Sequence, residues 1–131
     1  PTLLSTWGEM YETMVENGVV EMRIKQLQRV LIADRFNCPS WAPERSPSLQ
    51  AVGIGARERD AINTLNYSIF SKSERAALQY AEALILYGKV NDEVFQRLTE
   101  SFSWSDIVEL GYAIATQAGA ARVVAALQAN E

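Results

Sequence analysis

Hydrophobic side chains recur every three to four positions along most of the chain, which is the spacing of amphipathic helices rather than of strands. In residues 3–17 they form one stripe, and Gly18 follows as a predicted helix end. Residues 20–36 repeat the pattern, and a break with two prolines follows at residues 37–43. The first third of the chain is therefore predicted to form two helices.

Two shorter helices are predicted next. They cover residues 43–52 and 57–65, on either side of a turn that contains Gly53 and Gly55. A Gly-x-Gly sequence also occurs in phosphate-binding loops, but here no Lys-Ser or Lys-Thr pair follows it and no strand precedes it. We therefore interpret it as a turn between helices.

Capping residues mark the second half of the chain. Ser71 and Glu74 have the spacing of a capping box, and the helix that they start is predicted to end at Gly88. Asn91 is the predicted N-cap of the next helix, whose Phe95 is expected to point inward together with Val94 and Leu98.

The last predicted helix begins at Ser103 and Asp106, runs to about residue 128 and is rich in alanine and glycine. Small side chains let helix backbones approach closely, so we expect a central or interface helix. No alternating run of β-branched residues indicates a strand, and the predicted fold is a single all-α domain, residues 1–131, with six to seven helices. Most aromatic residues at helical spacing are expected in the core: Trp7, Tyr11, Tyr80, Tyr87, Phe95 and Trp104.

Composition then narrows the chemistry. The 131 residues are 48% hydrophobic and 21% charged, as in an ordinary globular domain. The net charge of −4 argues against a nucleic-acid partner, which requires clustered positive charge. There is no histidine and one cysteine, Cys38, which excludes histidine catalysis, zinc cages and intrachain disulfides. We expect no metal and no cofactor.

The sequence also predicts where the protein is found. No basic region followed by an apolar run stands at the start, and the longest uncharged stretch, residues 110–121, is shorter than the roughly 20 residues that span a bilayer. We therefore expect a cytoplasmic protein with no membrane partner.

One segment concentrates reactive and binding side chains. Cys38 lies where the second predicted helix ends, Trp41, Glu44 and Arg45 follow, and Arg23 precedes it. A thiol beside an arginine is activated as a nucleophile. The alternative is that Cys38 is a small buried apolar residue and that Glu44 and Arg45 are a surface pair.

At this segment the sequence resembles the carboxymuconolactone decarboxylase and alkylhydroperoxidase D-like family. Aligned by the cysteine, residues 23–53 match without a gap, and the resemblance covers about residues 20–128. Further similar stretches are residues 73–84, 90–95, 102–103, 107–110 and 114–115. The resemblance implies an alkylhydroperoxidase D-like helical bundle that assembles into trimers or hexamers.

The family's redox members carry a glutamate, eleven intervening residues and then Cys-x-x-Cys-x-x-x-His. This chain keeps the first cysteine, Cys38, but has Gln26 at the glutamate, Trp41 at the second cysteine and Arg45 at the histidine. Glutamine cannot take up a proton at neutral pH, tryptophan cannot resolve a mixed disulfide, and arginine is a poor base. Peroxidase chemistry of the disulfide type is therefore not expected.

Three functions remain open. The first is a lyase or isomerase acting on a carboxylated, cyclic or aromatic small molecule, with Cys38, Glu44 and Arg45 as catalytic residues. Four residues would bind the substrate: Arg23, Gln26, Trp41 and Arg45. In that reading a tyrosine is a further candidate for proton transfer. The second is a non-catalytic oligomeric binding or scaffold subunit, and the third is a one-cysteine redox protein that uses Cys38.

Overall fold

The computed structural model describes residues 2–37 and 46–128. Within these ranges the chain forms seven α-helices and no strand, which confirms the predicted all-α bundle of six to seven helices. The helices are α1 (Leu3–Tyr11), α2 (Met22–Arg35), α3 (Pro47–Ala51), α4 (Ala56–Asn63), α5 (Lys72–Glu82), α6 (Asp92–Ser101) and α7 (Trp104–Gln128). Two helices continue into π-helical turns, α1 into Glu12–Glu16 and α5 into Ala83–Tyr87.

The helix starts lie where the capping residues predict them. Ser71 Oγ accepts a hydrogen bond from the backbone N–H of Glu74 at 3.2 Å, and Glu74 Oε1 accepts one from the Ser71 N–H at 3.0 Å. Asn91 caps α6 through its side chain. At the start of α7, Ser103 Oγ accepts from the N–H of Asp106 at 3.1 Å. These bonds satisfy backbone donors that have no partner within the helix.

The core lies around α2, which packs against α4, α5 and α7. Lys25 contacts Glu109 near the start of α7, and Phe36 contacts Arg122 farther along α7, so α2 and α7 run in the same direction. The fully or almost fully buried side chains include Ile24, Leu27, Leu31, Ile32, Leu49, Ile62, Leu78, Leu98, Leu110 and Ile114.

Several aromatic residues are not where the pattern places them. Tyr80 is buried as expected, but Trp7, Tyr87, Phe95 and Trp104 are exposed. Phe95, which was expected to point inward, lies on the surface with its ring edge toward Trp104 at a centroid distance of 6.2 Å. Helical spacing identifies an apolar face, but another element must cover that face before it becomes core.

Helix α7 is long and rich in apolar residues. Its residues Trp104–Leu127 have the length and mean hydropathy, 1.2, of a segment that could cross a bilayer, and 28% of the most apolar stretch is buried. The core helices of soluble proteins meet the same criteria. Trp104, Val108, Tyr112, Val123 and Leu127 are the exposed large apolar side chains of α7.

Candidate functional site

Four of the six predicted site residues lie outside the described residues: Cys38, Trp41, Glu44 and Arg45. Their proposed roles stay predictions. Arg23 and Gln26, the other two predicted binding residues, are in α2 and can be placed.

Arg23 joins three parts of the bundle. Its Nε lies 2.6 Å from Glu74 Oε2 in α5, and its Nη1 donates to the backbone carbonyls of Val52 at 2.8 Å and Gly53 at 3.2 Å. The guanidinium therefore compensates the charge of the Glu74 carboxylate and provides hydrogen-bond donors for two backbone carbonyls just after α3. A substrate carboxylate would have to compete with Glu74 for it.

Gln26 is 2% exposed and belongs to the interior side of α2. Its Nε2 donates to Met22 Sδ at 3.2 Å, and its Oε1 accepts from Arg29 Nη1, also at 3.2 Å. The same Arg29 nitrogen lies 3.4 Å from Ser48 Oγ of α3. Gln26 thus forms part of a polar layer between α2 and α3.

A cleft with several polar side chains in its walls lies between α6 and α5 with its π-helical turn. Its volume is about 570 Å³, within the usual range of small-molecule sites. Tyr67, on the segment between α4 and α5, donates its phenol hydrogen to Glu82 Oε2 at 2.9 Å in the wall of this cleft. Glu82 is half-buried and lies between two buried alanines, Ala81 and Ala83. The cleft wall therefore contains a phenol and a carboxylate joined by a hydrogen bond.

Arginine and lysine side chains line the same cleft. Arg97 of α6 donates to Gln79 Oε1 of α5 at 3.2 Å and forms an ion pair with Glu93 one turn earlier in α6. Lys89 also lines the cleft. Both partners of the Arg97–Glu93 pair are substantially exposed, so the pair contributes little stability and a bound anion can replace Glu93.

The environment of Tyr67 keeps its phenol protonated. Burial, followed by the hydrogen bond and the negative charge of Glu82, raises the pKa of Tyr67 well above its ordinary value of 10, and the charge of Arg35 lowers it only in part. Tyr67 therefore remains a hydrogen-bond donor at neutral pH.

One weak signal in the sequence points to this cleft. A glutamate flanked by buried alanines in α5 lies close to the apolar face of that helix, where an unpaired carboxylate would be costly. Its partner Tyr67, however, comes from outside the helix, and no periodicity connects them. No group of three or more metal-ligating side chains lies among the described residues.

Comparison of the chain with models of known protein families finds no match, and comparison with curated proteins finds none either. The site is therefore interpreted from its own geometry.

Proposed function

We propose that this protein is a small-molecule enzyme of the lyase or isomerase type that acts on a carboxylated, cyclic or aromatic compound, as in carboxymuconolactone decarboxylase-like proteins. The observation that carries the proposal is the 2.9 Å contact between Tyr67 Oη and Glu82 Oε2 in the wall of a 570 Å³ cleft. The cleft holds a proton acceptor and, at Arg97, a group suited to a carboxylate.

As an isomerisation, the reaction needs only proton transfer; as a lyase reaction, a leaving group also departs from the neighbouring carbon, and the electron pair of the broken C–H bond forms the new double bond. Arg97 binds the carboxylate of the compound in place of Glu93. This contact orients the reacting carbon toward Glu82. Glu82 accepts the proton from that carbon and returns it at a second position, while Tyr67 stabilises the carboxylate form by its hydrogen bond. No metal and no cofactor takes part in this scheme.

The experiment is a thermal-shift screen against small carboxylic acids, including lactones and aromatic acids, followed by turnover of each acid that binds. A bound acid stabilises the protein by about 2.7 kcal/mol at a hundredfold excess over its dissociation constant. We expect Arg97→Ala to lose the shift and Arg57→Ala, an exposed arginine outside the cleft, to keep it. Glu82→Gln should keep binding and lose turnover by about 100-fold or more.

The same screen tests the predicted segment as the site. If Arg45→Ala abolishes the shift and Arg97→Ala does not, the acid binds at the segment of Cys38, Trp41, Glu44 and Arg45 instead. If no acid shifts the unfolding temperature, the enzyme proposal is wrong. Rapid, selective alkylation of Cys38 near neutral pH would then favour the one-cysteine redox function.

A second candidate function is supported by a different observation. Apolar side chains of α1 and α7 are exposed along much of both helices, as in a subunit of a larger assembly. We propose self-association to a trimer or hexamer, either of the enzyme or of a non-catalytic scaffold subunit, in the cytoplasm. An assembled protein that binds acids without turnover would favour the scaffold.

A further inference from the structure

Helix α1 extends from the rest of the chain. With the π-helical turn that follows it, it forms an unbroken helical segment from Leu3 to Glu16, and α1 contains no buried residue. Leu3 and Leu4 are 87% and 79% exposed, and Trp7 and Met10 on the same side are exposed as well. An apolar helix face of this size in water favours association.

A groove elsewhere on the bundle is suited to such a face. It has a volume of about 330 Å³ and lies between the end of α2, the π-helical turn after α5 and the second half of α7. We call it the Phe36 groove, and its walls include Phe36, Ile85, Ile114, Ala118, Gly119 and Arg122. The small residues of α7 leave room for large side chains from a partner helix.

The two surfaces carry opposite charges, and the groove is shorter than the helix. Residues 3–16 form a helix about 21 Å long, and the part of α7 from Ile114 to Arg122, about 13 Å long, faces about two and a half of its turns. Arg122 is the one charged residue that lines the groove, and its guanidinium lies 5.0 Å above the Phe36 ring. The helical segment contains Glu9, Glu12 and Glu16 and no lysine or arginine. An acidic apolar helix thus faces a cationic apolar groove.

The chain's own α1 does not occupy the groove. The segment that follows α1 is held near the start of α7, where Glu109 Oε1 and Oε2 accept from the N–H groups of Val19 at 2.8 Å and Val20 at 2.7 Å. The groove lies farther along α7, beyond Ile114, and no residue of α1 is buried.

We propose that α1 of one copy binds in the Phe36 groove of another copy, with Trp7 and Met10 against the small residues of α7 and a glutamate of α1 against Arg122. The two surfaces differ, so the contact closes either as a reciprocal exchange between two copies or as a ring. This inference rests on the proposed self-association and is independent of the acid–base chemistry proposed for the cleft.

A mixing experiment identifies the occupant. Met10→Cys is made in one sample and Ala118→Cys in another, both in a Cys38→Ser background, and the samples are mixed and oxidised. We expect a disulfide between the two variants, and none when Thr99→Cys, an exposed position of α6 outside the groove, replaces Ala118→Cys. Sedimentation equilibrium measures the assembly constant in parallel.

Charge reversal tests the recognition itself. Arg122→Glu should raise the dissociation constant of the assembly by about tenfold or more, because like charges then face each other. Adding Glu9→Arg and Glu12→Arg to Arg122→Glu should restore it, whereas Trp104→Ala, an exposed residue at the far end of α7, should leave it unchanged. If carboxylic acids still shift the unfolding temperature of Arg122→Glu, then the loss of assembly is independent of acid binding in the cleft.

Three outcomes would overturn the proposal. The wild-type protein could sediment as a 14.6 kDa monomer at micromolar concentration. The assembly could persist unchanged in Arg122→Glu and in Trp7→Ala. The monomer could instead bind vesicles of zwitterionic phospholipid through α1, which would identify a membrane surface as the partner.

Discussion

Lys25 in α2 and Glu109 in α7 form an ion pair whose Nζ and Oε2 atoms are 2.9 Å apart, and Lys25 is fully buried. The same carboxylate accepts the backbone N–H groups of Val19 and Val20. One side chain of α7 therefore holds both the start of α2 and the segment that leads into it. A buried charge is tolerated only with such compensation.

Lys25→Met should be strongly destabilising, because it leaves the Glu109 carboxylate without its cation in a largely buried place. We expect the free energy of unfolding to fall by about 3 kcal/mol. Urea denaturation measures it. The control is Lys72→Met, whose exposed pair with Glu100 is 3.0 Å long and should cost less than about 1 kcal/mol. Equal losses in the two variants would contradict a special role for Lys25.

Gly18 is required by the same contact. A Cβ atom at position 18 would lie 2.3 Å from Lys25 Nζ and 2.5 Å from Glu109 Cδ, so Gly18→Ala must displace the pair. We expect a loss of about 1–3 kcal/mol in a denaturation curve. Gly8→Ala is the matched control, since nothing lies within 4 Å of its Cβ and alanine favours a helix by about 0.5–1 kcal/mol. Gly8→Ala should therefore stabilise.

Acid should weaken the fold through two glutamates. Burial acts to raise the pKa of Glu109, but the hydrogen bonds from Lys25, Val20 and Val19 and the charge of Lys25 outweigh it and hold the pKa below its ordinary value of 4.5. In Glu74, burial is likewise outweighed by the hydrogen bonds from Ser71 and Arg23, and the pKa is lowered.

A carboxyl group with a lowered pKa in the folded state stabilises that state above the unfolded pKa, and the contribution is lost as pH falls through the folded pKa. We therefore expect the free energy of unfolding to decrease as pH falls below about 4.5. Glu109→Gln should be less stable at neutral pH, and its free energy of unfolding should fall less on acidification. Urea denaturation between neutral and acidic pH measures this, and a free energy of unfolding that depends on pH as in the wild type would contradict it.

Alkali should act through Tyr67, whose pKa is raised by burial and by Glu82. Above pH 10, the ordinary pKa, tyrosine ionises in the unfolded chain before it does so in the folded one, so stability falls as pH rises. Tyr67→Phe should cost about 1 kcal/mol at neutral pH through the lost hydrogen bond and should decline less in alkali. Denaturation curves and ultraviolet titration of phenolate measure both effects. Burial also raises the pKa of Tyr80, which accounts for part of the remaining decline.

Gln117 offers a stabilising substitution. It is fully buried in α7, and its side-chain amide has no hydrogen-bond partner among the described residues. Gln117→Leu should raise the free energy of unfolding by about 1–2 kcal/mol, because it removes an unsatisfied polar group from the core. In Gln28→Leu the bond from Nε2 to the Ala77 carbonyl, 2.9 Å long, is lost, and we expect no gain. A destabilised Gln117→Leu would indicate an unrecognised partner of the amide.

The helices could be predicted because their ends depend on neighbouring residues. The Ser71 and Glu74 capping box, for example, involves residues three positions apart, and its spacing is visible in the sequence. The buried polar residues of α2 could not be predicted in this way. Lys25 is buried because Glu109, far away in the chain, supplies the opposite charge.

The candidate site could not be predicted from the sequence for the same reason. Glu82 belongs to a clearly predicted helix, but Tyr67 is fifteen residues earlier in a connecting segment, and only the fold of that segment against α5 brings the phenol to the carboxylate. Arg23 was chosen for its charge, and the sequence did not show that Glu74, in another helix, would compensate it.

The π-helical turn Ala83–Tyr87 has a consequence for insertions and deletions. Each hydrogen bond of such a turn spans one residue more than in an α-helix, so the chain carries one surplus residue directly after Glu82. A single-residue deletion here can close the turn into an ordinary α-helix. Because the turn absorbs the surplus residue locally, the chain after it would keep its register, whereas side chains within it, including Tyr87 at the cleft, would change position relative to Glu82. Heritable changes in chain length at this point can thus remodel the cleft without altering the bundle.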